Sequence, residues 1–261
     1  MSASEIASYI ASKDDFALEM RCLQSARGFG FEVQHGGTYL DPATAKWRQF
    51  DLRLSKATGQ RRVWLAVECK SLRSSYPLVV SCASRTRAES VHSILVHPNG
   101  SPAVREHKHS QLFPAEQPLG KSAMQVGRKG DGGYNAAEQD TYAKWSQAIE
   151  SASGLIASAW TERTHAHLVL PLLVVSKDAL WRIDYDANGV AAEPQACDEV
   201  TLYLGRSVVH APIHPATREP LPYPITYPIG HLLICTEVGY GALLATVSDR
   251  DSLWWDRAFE A

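Results

Sequence analysis

Two apolar runs that alternate with period two constrain this chain most: WRQFDLRL from Trp47 and VWLAVECK from Val63, separated by the turn-bearing KATGQRR. Such a pattern specifies a β-hairpin, because successive side chains of a strand point to opposite faces. Arg48, Phe50, Leu52 and Leu54 share one face, while Trp47, Gln49, Asp51 and Arg53 share the other. On the second strand Val63, Leu65, Val67 and Cys69 lie opposite in facing to Trp64, Ala66, Glu68 and Lys70. A hairpin centred between Gly59 and Gln60 sets Leu52 against Val67 and Leu54 against Leu65, and it also sets Asp51 against Glu68. Two carboxylates so placed repel each other unless a cation lies between them or one holds a proton. Lys70, two residues beyond Glu68, is expected to supply part of that positive charge.

The rest of the chain is that of a globular protein. With 261 residues it can bury a sizeable core without disulfides or a structural metal, and 45% hydrophobic with 21% charged residues excludes a disordered composition. The formal net charge of -2 neither requires nor excludes a nucleic-acid partner. Five widely spaced cysteines with no CxxC pair read as reduced thiols, and no run is long and apolar enough to span a bilayer, so a cytoplasmic protein with no membrane partner is expected.

Along the chain, SEIASYIASKDDFALEMRCLQSARGFG predicts one or two helices ending at Gly28. Phe16, Glu19, Met20 and Leu23 fall on one helical face, which places the Glu19 carboxylate on an apolar stripe where it needs a partner. A short strand over about 30–34 and a Gly/Pro-rich turn region precede the hairpin. After it, YPLVVSCAS reads as a strand and RTRAESVHSIL as an ambiguous helix. The Pro-, Gly- and His-rich stretch 97–133 reads as a functional surface loop. Its histidines His97, His107 and His109 lack the second ligand pair of a recognised metal site. A helical stripe through Trp145, Ala148, Ile149, Ala152, Leu155 and Ile156 is core, HLVLPLLVVS is a buried strand, and ALWRIDYDANG is expected to be its hairpin partner. Further strands, and at most one helix, complete the chain.

An acid on one strand, E-x-K on the next and a glutamate on a preceding helix suit metal-assisted phosphodiester hydrolysis. Oxygen donors from Asp51, Glu68 and the Cys69 carbonyl suit Mg²⁺, with Mn²⁺ as a substitute, and Lys70 would hold the attacking water or the phosphate. At these residues the sequence resembles the PD-(D/E)xK nuclease superfamily, through Asp51 in RQFDLRL, Glu68 and Lys70 in VECK, and Glu19 in LEMRCL. Phe50 stands where that family often has proline. The resemblance implies an α/β fold, an α+β mixed sheet with a restriction-endonuclease-like core of helix, strand, β-hairpin, helix and strand. It implies catalytic roles for Asp51, Glu68, Lys70 and Glu19, with Glu19 an additional metal ligand. One domain over 1–261 is expected, with its core at about 14–176, an insertion at about 97–133 and a C-terminal β-rich extension at about 177–261.

Between Lys46 and Arg73 there are eight basic residues against two acidic ones, which favours a phosphate-bearing partner. Arg48, Arg53, Arg73, Lys121, Arg128 and Lys129 are the expected nucleic-acid contacts; His35 reads first as a satisfied structural histidine, with an approach of His35 and Tyr39 to the site as the alternative. The function these features imply is a Mg²⁺-dependent nuclease acting on DNA in genome defence or repair, as a homodimer or with a targeting partner protein. The alternative is a nuclease-fold module that no longer cleaves and serves as a nucleic-acid-binding or assembly subunit. No GxSxG, P-loop or HExxH motif competes.

Overall fold

A computed structural model describes residues 1–13, 15–40, 46–100, 102–107, 111–113, 117–128, 133–137, 139–163, 165–210 and 225–260. In chain order the elements are α1 (Ala3–Lys13), α2 (Phe16–Gly28), β1 (Glu32–Leu40), β2 (Trp47–Thr58), β3 (Arg61–Lys70), β4 (Leu78–Ala83), β5 (His92–Val96), β6 (Ala103–His107), β7 (Leu119–Arg128) and β8 (Tyr134–Ala137). There follow α3 (Gln139–Thr161), β9 (Ala166–Val175), β10 (Leu180–Tyr185), β11 (Gln195–Ala196), β12 (Glu199–His210), β13 (Ile225–Thr236), α4 (Glu237–Ser248) and α5 (Leu253–Phe259). The chain is therefore mixed α and β, with a large mixed sheet and few helices.

Among the described residues the strands join one sheet in the order β1-β2-β3-β9-β13-β12-β7-β4-β10-β11, with β5, β6 and β8 attached beside that path. The β2–β3 hairpin has the register its alternation dictates: Leu52 pairs with Val67, Leu54 with Leu65 and Thr58 with Arg61, around a turn in which Gly59 takes φ +57°. Leu52, Leu54, Leu65 and Val67 face a core shared with α2, α4 and α5, which contributes Leu18, Cys22, Leu244 and Trp255. The opposite face packs on α3, where Ala66 and Val169 meet Ile149, Ala152 and Ile156. Each large side chain so buried stabilises the fold by about 1.5–3 kcal/mol before chain entropy is counted.

β9 runs parallel to β3 along its whole length, from Arg61 against Ala166 to Lys70 against Val175. Its other edge is taken first by β5, at Leu95 against His167, and then by β13, from Leu172 against Leu233 onward. Pro171 lies at that changeover, between the two partners of this edge.

Several expectations are corrected. The strand before the hairpin continues through His35-Gly36-Gly37 to Leu40 instead of stopping at a turn near 34. RTRAESVHSIL supplies a short 3-10 turn and then β5, not an α-helix. β10 is not the hairpin partner of β9; it runs parallel to β4 and antiparallel to β11. The stretch 97–133 is not a surface loop, since it forms β6 and β7, and β7 lies inside the sheet between β12 and β4 with Leu119 fully buried. The C-terminal stretch 177–261 supplies β10 to β13, of which β13 is a central strand, and its α4 and α5 place Leu244, Trp255 and Phe259 in the main core. No helix among the described residues is long and apolar enough to cross a membrane.

Candidate active site

Asp51 and Glu68 come from β2 and β3, each next to the Leu52–Val67 pair that ends the ladder, and both meet Lys144 of α3. Asp51 is nearly buried, and its Oδ2 accepts a hydrogen bond from the Cys69 backbone N–H at 2.8 Å. Glu68 is fully buried, and neither of its carboxylate oxygens has a hydrogen-bond partner among the described residues. Burial first, and the Asp51 charge second, push its carboxyl up to about 9.

The cation that balances the pair comes from α3. Lys144 Nζ donates to Asp51 Oδ2 at 3.0 Å and stands 3.5 Å from Glu68 Oε2. Burial alone would lower this ammonium's pKa, but Asp51 and Glu68 outweigh it and push it up. Lys70, the residue expected in this role, is turned elsewhere: its Nζ lies 3.4 Å from Asp15 Oδ2, and the other oxygen of Asp15 accepts from the Ser71 N–H at 2.6 Å. Sequence reading missed Lys144 because nothing in AEQDTYAKWSQ marks it; it precedes the apolar stripe by one residue and reaches the site only through tertiary packing.

Glu19 reaches the same cleft from α2. Its Oε2 lies 3.4 Å from His35 Nε2, and burial, then Asp51, raise its pKa against the opposing effects of His35 and Lys144. Phe16, Glu19, Trp47, Arg48, Gln49, Asp51, Lys144 and Gln147 line an open cleft of about 420 Å³. Two glycines of β1 lie across from β2 beside it. Gly36 has φ +65°, and a Cβ on Gly37 would stand 2.5 Å from the Phe50 ring, so β1 crosses the Phe50-Asp51 step only with glycine there. Tyr39, also expected near the site, is buried, with its hydroxyl donating to the Gln147 carbonyl at 3.4 Å.

Of the expected nucleic-acid contacts, Arg48 alone lines this cleft among the described residues. Arg53 is turned inward: it donates to Ser151 Oγ at 3.2 Å and to the Ser151 carbonyl at 3.1 Å, and lies over the Phe50 ring at 4.3 Å. Arg73 is exposed on the segment after β3, Lys121 is paired with Glu89, and Arg128 is exposed at the end of β7. Lys129 lies outside the described residues. Other cations of the basic run are also used internally, Arg61 on Asp256 and Glu260, and Arg62 on Glu32 and Glu162. His97 and His107 are not brought together: His97 bonds the Ala159 carbonyl at 3.3 Å, while the His107 ring packs 4.9 Å from that of His92, and His109 lies outside the described residues.

Among the described residues no group of three or more His, Cys, Asp or Glu side chains is drawn together as metal ligands. The fit to Mg²⁺ rests instead on two carboxyl groups as oxygen donors, one of them fully buried and without a hydrogen bond among the described residues. The Cys69 backbone meets this pair through its N–H. No family model, no curated protein and no solved structure matches the chain, so the reading of its site stands on this geometry.

Proposed function

We propose that the chain is a metal-dependent nuclease of restriction-endonuclease-like fold, acting on DNA phosphodiester bonds in the cleft beside Asp51. The observation that carries this reading is the fully buried Glu68 carboxyl, which has no hydrogen bond among the described residues and lies beside Asp51 and 3.5 Å from the Lys144 ammonium at the edge of an open cleft. A stable fold gains nothing from such an arrangement, because a buried carboxylate without hydrogen bonds is costly; functional sites are where such costs recur. The order α2, β1, β2–β3 hairpin, α3, β9, with β3 parallel to β9, supports the fold assignment.

Asp51 and Glu68 would hold Mg²⁺ or Mn²⁺, with Glu19 the nearest additional carboxylate. When bound, such an ion lowers the pKa of a water and offsets charge on the phosphate. Lys144 takes the part expected of Lys70, donating a proton-bearing ammonium to the cleft and fixing the Asp51 carboxylate. Arg48 supplies positive charge for the phosphate backbone. Phe16 and Trp47, 52% and 72% exposed on the cleft wall, offer rings on which bases stack.

A second reading, a nucleic-acid-binding module that no longer cleaves, is favoured by one observation: Lys144 already supplies the positive charge between the two carboxylates. Linear, circular and single-stranded DNA and RNA, incubated with Mg²⁺, Mn²⁺ or chelator, separate the two. Metal-dependent cleavage lost in Glu68→Gln supports the nuclease. Binding without cleavage under every condition supports the module, and neither binding nor cleavage removes both.

A further inference from the structure

The opposite face of the sheet holds a second cavity, of about 160 Å³, between β9, β12 and β13 above and α4 and α5 below. Leu170, Leu233, Leu243 and Phe113 give it apolar walls, while Arg85, Arg257, Glu199 and Thr201 are among its polar lining. Arg85 is the unusual member. It is 9% exposed, and its Nε and Nη1 are buried with no hydrogen-bond partner among the described residues. Its aromatic neighbour is Phe113, whose ring centre is 5.9 Å from the guanidinium carbon. Glu89, the carboxylate that acts on it through space, is taken up by Lys121 and by the Thr86 N–H.

A guanidinium does not shed its proton to escape burial, as a lysine or histidine does. Burial pulls the Arg85 pKa down, yet the group stays charged, and a buried charge without a partner is strongly unfavourable. Its planar donors match an oxyanion in bidentate fashion. Arg257, exposed on α5 at the rim, adds a second positive charge. Glu199 is the opposing charge of the lining, and it limits the net positive charge to one unit, suited to a small singly or doubly charged anion. The cavity is well below the roughly 300–1,000 Å³ of sites for drug-sized ligands, so the occupant is small.

We propose that this cavity is a binding site for a small oxyanion, a phosphate or carboxylate group on a short body, with Arg85 as its principal cation and Arg257 as its second. The site is on the sheet face away from Asp51, Glu68 and Lys144, and it does not depend on the nuclease reading.

The test uses the full chain and two probes, inorganic phosphate and acetate, each titrated at constant ionic strength against chloride while thermal unfolding is followed. A saturable rise of the melting temperature is expected with at least one probe. Arg85→Met should abolish that rise while melting no lower than the parent without anion, because it removes an unpaired buried charge. Arg257→Gln, at an exposed position, should weaken the apparent affinity roughly tenfold, the loss of one charge-assisted contact. Lys144→Ala should keep the full response, which separates this cavity from the catalytic cleft. The proposal is overturned by any of three results: no saturable response to either probe, a response kept in Arg85→Met, or one lost in Lys144→Ala. Should Arg85→Met fail to fold, an unchanged affinity in Arg257→Gln overturns it as well.

Discussion

Lys144 and Asp51, 93 positions apart in the chain, are joined by a 3.0 Å contact between Nζ and Oδ2. This contact fixes the charge balance of the cleft, since it brings an ammonium to a carboxylate pair that the hairpin alone leaves without one.

Lys144→Met should therefore abolish metal-dependent cleavage and lower stability by about 2 kcal/mol at neutral pH, because it leaves the nearly buried Asp51 carboxylate without its ammonium, discounted for partial exposure. Lys70→Met should retain a substantial part of the activity, because Lys70 is engaged by Asp15. Cleavage assays and chemical denaturation on both variants check this; activity lost with Lys70 and kept without Lys144 would reverse the assignment.

Stability should depend on pH through Glu68. Its carboxyl, raised from 4.5 to about 9 in the folded chain, retains a proton that the unfolded chain gives up in mildly acidic solution. The stability this provides is complete below the unfolded pKa and is lost as the pH rises toward about 9. Glu68→Gln keeps the shape and removes the ionisation. In chelator it should melt above the parent near pH 8 and converge with it in acid. Asp51→Asn should show no such gain, because Asp51 already has the Cys69 N–H and Lys144 as partners. Equal melting of parent and Glu68→Gln across the range would mean that Glu68 ionises freely.

Replacing 97–133 by a Gly/Ser linker should unfold the protein. β7 stands between β12 and β4, so its loss separates β4, β10 and β11 from the rest of the sheet and exposes Val80 and Leu202. Circular dichroism and thermal melting on the deletion check this, and a native-like melt would show that the sheet closes without β7.

Gly239→Ala should destabilise by about 1–3 kcal/mol or more, whereas Gly241→Ala should stabilise by up to about 1 kcal/mol. Both lie in α4, but a Cβ at 239 would stand 2.0 Å from the Asp198 carbonyl oxygen, which accepts the Thr236 N–H, and one at 241 meets nothing within 4 Å. Paired denaturation curves decide it; equal effects would mean that α4 shifts away from Asp198 at no cost.

The parts legible in the sequence are those written in local alternation. KATGQRR between two period-two runs is enough to obtain the Leu52–Val67 register, and with it the neighbourhood of Asp51 and Glu68, which meet the same Lys144. The α3 stripe and the buried β9 run are legible for the same reason. Contacts between distant segments are not. The parallel pairing of β4 with β10 and the placing of β7 beside β12 leave no periodic trace, and Pro-, Gly- and His-rich composition suggests a loop where a strand forms. Lys70 and Lys144 illustrate the same limit at the site: spacing puts Lys70 two residues from Glu68, but Asp15, at the start of α2, decides where its ammonium goes.

The separation of Lys144 from the hairpin also bears on the order of events at the ribosome. Residues 47–70 carry both carboxylates, and the ammonium that meets them is translated only with α3. β9, which covers β3 along its length, follows α3, and β13 follows later still. A nascent chain thus carries Asp51 and Glu68 without their ammonium until α3 docks. A partly synthesised chain therefore has no assembled cleft, since Lys144 and Gln147 of its lining are not yet in place.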